Sequence, residues 1–302
     1  MKNILKRVVL TLSVIIISSA AVVMITKAFT KGDLLVATDA NNLIRVPIGT
    51  DGQFLQASSS AASGVAWASL PSGTKKYEIS DGSIKALYRL EDGTDSSGNG
   101  FNLTNNGSTL FTGGKLENAV DFGNSNTSKY LSVANDLGIT GGSISFSTWI
   151  NVATPPATDE DKLFVTHGDA GTHIWEYLTY SKPGGIFQLQ ARRHKSGGSA
   201  DTAAYSITLT PGAWYHVVYT YDGSNVKLYL NNTEVASVAS NGNGASGVSD
   251  DFQISGQNNA VHFSGMVDET VVFNTAISTT TIYKLYNGGN GKEVCITAGC
   301  GN

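Results

Sequence analysis

Trp214-Tyr215-His216-Val217-Val218-Tyr219-Thr220-Tyr221, then Asp222-Gly223-Ser224-Asn225, then Val226-Lys227-Leu228-Tyr229-Leu230 is the stretch whose reading decides the fold. Two aromatic and β-branched runs flank a polar tetrapeptide. Gly223 tolerates positive φ, and Asp222 and Asn225 can bond their own backbone, so a chain reversal is expected here. Val217, Tyr219 and Tyr221 alternate with His216, Val218 and Thr220; after the turn Val226, Leu228 and Leu230 alternate with Lys227 and Tyr229. Alternation with period two is the mark of a strand with two different faces. Asn231-Asn232 supplies a second turn, which releases residues 234–238 as a third strand. A three-strand meander of this kind belongs in the middle of a larger antiparallel assembly, because a hairpin alone is marginally stable.

Outward from the meander, strand signals recur at 85–91, 119–122, 130–133, 143–152, 162–167, 173–181, 186–193, 203–209, 252–255 and 262–273. Outside the N-terminus, one helix is expected, at 279–286. Ser278 is placed to cap it, Ile282 with Leu285 or Tyr286 shares a face, and Gly288 can close it. A parallel sheet would need crossover helices that the sequence lacks, so the strands must form two stacked antiparallel sheets or a barrel. Composition agrees: 302 residues hold 34 Gly, 6 Pro and only 15% charged residues, which suits many short strands joined by turns. A net charge of −4 and the lack of a basic stripe exclude nucleic acid as the expected partner.

At the N-terminus Lys2, Lys6 and Arg7 precede an apolar run over 8–25. Its cationic start fits a cleaved signal peptide, with Ser18, Ala20 and Ala21 as small residues for the cleavage site. Its length fits a hydrophobic helix anchored in a membrane. Residues 1–30 are therefore expected to be a signal peptide or an anchor, and the rest of the chain extracytoplasmic, at the cell surface or secreted. Residues 31–74 have a different texture, with Gly32-Asp33-Leu34, Gly49-Thr50-Asp51-Gly52-Gln53 and Trp67-Ala68 as landmarks. This pattern resembles a small stalk module of phage tail-fibre and bacterial surface proteins. The resemblance implies self-association of the stalk, a homo-oligomer.

Across 75–291 the motifs fall in a recognisable order. Ala86-Leu87-Tyr88-Arg89-Leu90 leads into Asp92-Gly93 and Asp95-Ser96-Ser97-Gly98-Asn99; Ala119-Val120-Asp121-Phe122, Ser145-Phe146-Ser147-Thr148-Trp149-Ile150, the meander, and Gly265-Met266-Val267-Asp268-Glu269 through Phe273 follow. Together they resemble the laminin-G-like, concanavalin-A-like lectin family. The resemblance implies an all-β, two-sheet antiparallel jelly-roll sandwich. It implies little about activity, because such sandwiches host lectins, adhesion modules, peptide binders and hydrolases alike.

Two sets of residues stand out as sites. Asp92, Asp95, Asn99 and Asp268 offer hard oxygens of the type calcium takes, and related domains hold structural calcium near such loops; the same side chains would serve as acceptors in Asx-turns. Trp175, Tyr177, Gln188, Gln190, Arg192 and His194 offer a flat ring with amide and guanidinium donors, the means of holding a sugar. Phe187, Leu189 and Ala191 alternate with Gln188, Gln190 and Arg192, so the polar side of that strand faces either a ligand or water. Trp149 and Trp214 are expected in the core.

Catalytic chemistry is not expected. Asp159-Glu160-Asp161 reads as part of a Pro-containing loop, and Asp268 and Glu269, as neighbours on a strand, should point to opposite faces. His167, His173, His194, His216 and His262 are scattered and read as sheet-surface or loop residues. Cys295 and Cys300, in a tail over 292–302, are expected to form a disulfide that ties off the C-terminus. The function expected is that of a cell-surface or secreted adhesin that recognises a glycan or a surface protein. A structural subunit without a small ligand and a glycoside hydrolase are the alternatives.

Overall fold

The structure is a computed structural model. It describes residues 15–18, 21–24, 30–49, 53–69, 76–125, 128–134, 137–139, 142–168, 176–194, 199–240, 251–256 and 261–297. The chain divides into two compact units, 1–74 and 75–302. In the first, Leu34–Ala37 pairs with Leu43–Val46, and Gln53–Ala57 with Val65–Ser69. The Trp67 indole N–H donates to the Pro47 carbonyl at 2.6 Å, and Asp33 accepts from Arg45 at 2.6 Å and from the Ile48 N–H at 3.0 Å. Of the expected N-terminal hydrophobic helix, residues 1–14, 19–20 and 25–29 lie outside the described residues. Within that run, Ile15–Ser18 and Ala21–Met24 are paired as antiparallel strands. No helix among the described residues is long and apolar enough to cross a membrane.

The second unit is an antiparallel two-sheet jelly roll. The first sheet runs Leu110–Gly113, Asn118–Asp121, Gly265–Phe273, Ile144–Val152, Trp214–Tyr221, Asn225–Leu230, Thr233–Ala239, with Ile84–Tyr88 also on Gly265–Phe273. The second runs Ala200–Ser206, Gln188–His194, Glu176–Ser181, Asp161–His167, Phe252–Ile254, Tyr130–Val133, Thr104–Asn106. The meander is as its pattern requires. Asp222 Oδ1 accepts from the N–H groups of Ser224 and Asn225 at 2.9 and 2.7 Å, Gly223 has φ 95°, and Asn231 and Asn232 have φ 47° and 69°. Two successive positive φ values make the tight reversal that strand twist favours.

The two phases of the meander serve different cores. Val217, Tyr219, Tyr221, Val226 and Leu228 face the second sheet, where Phe164, Leu178, Tyr180, Leu189, Ala191 and Phe252 meet them. Phe146 and Tyr88 reach Phe252 with ring centroids 6.3 and 5.5 Å apart. The other phase is covered from outside by the helix Thr279–Tyr286. Ile282 seats against Val218 and Tyr229, and Leu285 against Leu87, Val271, Phe273 and Val294. Ser278 Oγ caps the helix by accepting from the Thr281 N–H at 3.1 Å, and the left-handed residue at its end is Asn287, with Gly288 following. Trp149 is buried on this outer side, stacked on Tyr286 with centroids 5.9 Å apart, whereas Trp214 is half-buried at the sheet's end rather than in the core.

Some strands differ from their expected bounds. The strand expected at 203–209 is Ala200–Ser206, where Ala, Ser and Thr mark no boundary; Thr104–Asn106 and Leu110–Gly113 are polar or Gly-bearing and carry no alternation to read. The 292–302 tail contributes Val294–Cys295, which pairs in parallel with Tyr77–Glu78. Cys295 is disulfide-bonded, and the chain's other cysteine, Cys300, lies outside the described residues.

Gly265 shows how tightly the central strands approach. Its φ is 142°, and a Cβ there would sit 2.1 Å from the Asn151 carbonyl oxygen. Gly265→Ala is expected to destabilise the unit by more than about 2 kcal/mol, as read from urea unfolding of parent and variant, because backbone atoms and not a flexible side chain must yield.

Candidate functional site

Because the helix and C-terminal segment cover the first sheet's outer face, the polar phase of the second sheet is the face left to consider. Its residues are set by register. Tyr177 stands opposite Arg192, Thr179 opposite Gln190 and Ser181 opposite Gln188. Leu178, Tyr180, Leu189 and Ala191 point the other way into the core, so the alternation in the sequence is the alternation in space.

These side chains form one hydrogen-bonded network. Gln190 Nε2 donates to Gln188 Oε1 at 2.6 Å, and Arg192 Nε donates to Gln190 Oε1 at 2.5 Å. The Arg192 guanidinium also donates to the Tyr177 hydroxyl at 3.0 Å and to Asp161 Oδ2 at 3.2 Å. Tyr177 and His194 stack with centroids 5.6 Å apart, and their Oη and Nε2 atoms are 3.1 Å apart. Five of the six expected sugar-binding residues are thereby brought together; the sixth, Trp175, lies outside the described residues. Asp161, expected in a loop, begins the Asp161–His167 strand and joins them.

The face is polar but its middle is enclosed. Tyr177 and Gln190 are only 2% and 3% exposed, while Gln188, Arg192 and His194 are half-buried. The Thr179 and Ser181 hydroxyls beside them are buried with no hydrogen-bond partner among the described residues. Their signal in the sequence was phase alone: they continue the Tyr177 side of the strand. Burial and the nearby Arg192 lower the His194 pKa, and burial raises that of Tyr177, so both are neutral at pH 7. Arg192 and Asp161 are then the charges of the network.

A second polar cluster lies between the sheets. Arg193 is fully buried, its Nε 3.3 Å from Glu176 Oε1, and Glu176 Oε2 is 3.2 Å from His167 Nδ1. Arg193 occupies the core-facing phase, after Leu189 and Ala191, and its guanidinium lies 3.9 Å from the Tyr221 ring centroid. The reading of the histidines as surface residues is corrected here. His167, His216 and His262 are 6%, 1% and 4% exposed, because each falls on a strand or bridge position with a polar partner inside the fold. His216 Nε2 is 2.8 Å from Ser147 Oγ, a pairing that elsewhere activates a nucleophile. Here both lie beneath Trp149 and Tyr286, and burial holds the His216 pKa down at about 3, so the pair is neutral and closed to substrate.

The oxygens considered for calcium are engaged with protein donors. Asp95 Oδ1 accepts from the Leu87 and Ser97 N–H groups, and Oδ2 from the Phe101 N–H and the Ser97 hydroxyl, at 2.8–3.0 Å. Asp92 closes an Asx-turn onto the Thr94 N–H, and the Asn99 amide donates to the Lys85 carbonyl. Asp268 accepts from the N–H groups of Lys115, Leu116 and Glu269. Among the described residues no group of three or more His, Cys, Asp or Glu side chains is arranged to hold a metal ion. Asp95 organises the loop after Ile84–Tyr88, and Asp95→Ala is expected to lower stability by roughly 2–4 kcal/mol in urea unfolding, since buried N–H groups lose their acceptor.

Asp268 and Glu269 do not point to opposite faces. A bulge against Ser147 and Trp149, with Glu269 at φ 45°, inserts one residue and resets the alternation. The Glu269 carboxyl then lies within electrostatic reach of Asp268, Arg89, Glu293 and Glu91. Burial outweighs three accepted hydrogen bonds and pushes the Asp268 pKa up to about 7; burial and then Asp268 itself push that of Glu269 well above its usual range. A carboxyl whose pKa is raised by folding stabilises fully below its unfolded value near 4 and loses that contribution as pH rises through 7. Stability measured from pH 4.5 to 7.5 should therefore carry a downward component that is smaller in Asp268→Asn than in the parent.

The family model of the concanavalin A-like lectin/glucanases superfamily matches residues 122–283, and the chain belongs to that superfamily. No curated protein sequence matches the chain. Among solved structures, domain 4 of AbnA, an extracellular arabinanase from Geobacillus stearothermophilus in complex with arabinotriose, is similar at 18% identity and TM-score 0.54, covering 69% of this chain and 98% of that one. The binding domain of botulinum neurotoxin DC in complex with SialylT is similar at 14% identity and TM-score 0.55, covering 68% of this chain and 51% of that one. The binding domain of Paraclostridial Mosquitocidal Protein 1 is similar at 17% and 0.53, covering 68% and 52%. This chain thus spans about half the length of the toxin domains, and at these identities the likeness is one of fold.

Proposed function

We propose that the jelly roll is a carbohydrate-binding module and that the chain is a cell-surface or secreted adhesin. The observation that carries the proposal is the joined set Gln188, Gln190, Arg192, Tyr177 and His194 on one sheet face, beside the unpartnered hydroxyls of Thr179 and Ser181. Amide, guanidinium and hydroxyl groups in fixed positions match the alternating donors and acceptors of sugar hydroxyls, and an ordered network limits the entropy lost on binding. Similar domains have been solved with arabinotriose and with SialylT, and cell entry of botulinum neurotoxin type C, another protein of similar fold, depends on interaction with two ganglioside molecules. These support the glycan class and leave the particular sugar open to a screen.

Binding without hydrolysis is part of the proposal. The paired carboxyls Asp268 and Glu269 are 0% and 5% exposed on the far side of the first sheet, which keeps them from a saccharide bound at the Arg192 network. Placement outside the cytoplasm is supported by the disulfide-bonded Cys295 and by the apolar N-terminal run.

A glycan array, followed by calorimetry on the best neutral ligand, tests the reading. Arg192→Ala should weaken binding roughly 10- to 100-fold, the worth of one or two charge-assisted hydrogen bonds, without reducing the product of any cleavage assay because none is expected. Binding that survives Arg192→Ala and Tyr177→Ala unchanged would move the site elsewhere. An array with no binding at all would leave the structural-subunit alternative.

A further inference from the structure

On the opposite side of the sandwich, three ammonium groups surround one concavity. Lys76, Lys284 and Lys292, with Tyr77, Tyr283, Asn287 and Gly288, line a cavity of about 350 Å³ beside the C-terminal end of the helix. That volume lies within the range of small-ligand sites, about 300–1,000 Å³. Not one of the residues lining it is acidic. Lys76 pairs with Glu293 at 2.6 Å, an acid that Arg89 shares at 2.6 Å, so that carboxylate is already matched by two cations. Lys284 lies over the Tyr77 ring at 4.8 Å, and neither it nor Lys292 has a carboxylate partner among the described residues. In a chain of net charge −4, three cations gathered around a hollow repel one another unless an anion joins them.

The second feature is an aromatic platform. Tyr283 is 59% exposed on the helix surface beside Lys284, with no role in either hydrophobic cluster under the helix. An exposed ring next to unmatched ammonium groups fits a ligand that has both a carbon-rich flat face and a negative charge. The geometry points to a second ligand site for a carboxylate-bearing saccharide, with Tyr283 under the ring and Lys284 and Lys292 on the carboxylate. The helix places this site on the first sheet's outer side, across the sandwich from the Arg192 network. It stands whether or not that network binds a neutral sugar.

The test uses the full chain and a tetrasaccharide of alternating glucuronate and N-acetylglucosamine, with its carboxyl-reduced counterpart as the neutral control. The acidic tetrasaccharide should bind at least about tenfold more tightly than the reduced one, and raising salt from about 50 to about 500 mM should weaken it severalfold by screening. Lys284→Ala with Lys292→Ala, and separately Tyr283→Ala, should each reduce affinity about tenfold or more at unchanged melting temperature, since Tyr283 and Lys284 are exposed and Lys292 is only half-buried. Arg192→Ala should leave it unaltered. Equal binding of the two tetrasaccharides, loss through Arg192→Ala instead of the lysines, or no binding would overturn the proposal. So would equally tight, lysine-dependent binding of inorganic phosphate or of phosphatidylserine vesicles, which would mark a general anion site.

Discussion

The constraint on which the molecule depends is the unequal covering of its two sheets. Four strands of the first sheet need shelter on both sides, because Val218, Tyr229, Leu87, Val271 and Phe273 occupy the phase that faces away from the second sheet. Thr279–Tyr286 and Val294–Cys295 provide that shelter. Burying a large apolar side chain is worth about 1.5–3 kcal/mol, so Ile282 and Leu285 suffice to hold a helix of two turns that would not form alone. The second sheet has no such apolar outer phase. Its outward positions among the described residues include Tyr177, Thr179, Ser181, Gln188, Gln190 and Arg192, with Leu163 opposite Thr179.

Polar groups inside the molecule are placed by the same economy of partners. Asp95 gathers four donors, three from its own loop and one from Leu87, and Asp268 gathers three, from Lys115, Leu116 and Glu269. Arg193, Glu176 and His167 form a charged chain between the sheets, where a lost partner would leave an isolated buried charge. The surface is arranged on a different principle. Lysines 76, 284 and 292 meet around a hollow although the chain as a whole is acidic.

Much of this was legible in the residues. The two phases of the meander, the helix bounds, Ser278 as its cap and the polar phase of Gln188 to His194 follow from period and turn chemistry, which act over a few residues. Strands without alternation, such as Thr104–Asn106, were not legible, because their pairing is set by Tyr130–Val133 beside them and not by their own composition. The bulge at Glu269 was likewise hidden: a single inserted residue reverses the facing of its neighbours, and nothing in Asp268-Glu269-Thr270 announces it. Asp161 could have been found only through its distance to Arg192, two strands away.

By itself, then, the sequence determined the antiparallel strands, the C-terminal helix and the polar phase of Gln188 to His194, because hydrophobic period and turn residues are local properties, while the resemblance to the lectin family implied the two-sheet sandwich. Tertiary structure alone decided which acids and histidines are buried, that the oxygens of Asp95 and Asp268 serve backbone N–H groups, and that lysines more than two hundred residues apart share one cavity. Those outcomes depend on which strands become neighbours, and neighbours in space are chosen by the burial of the whole core.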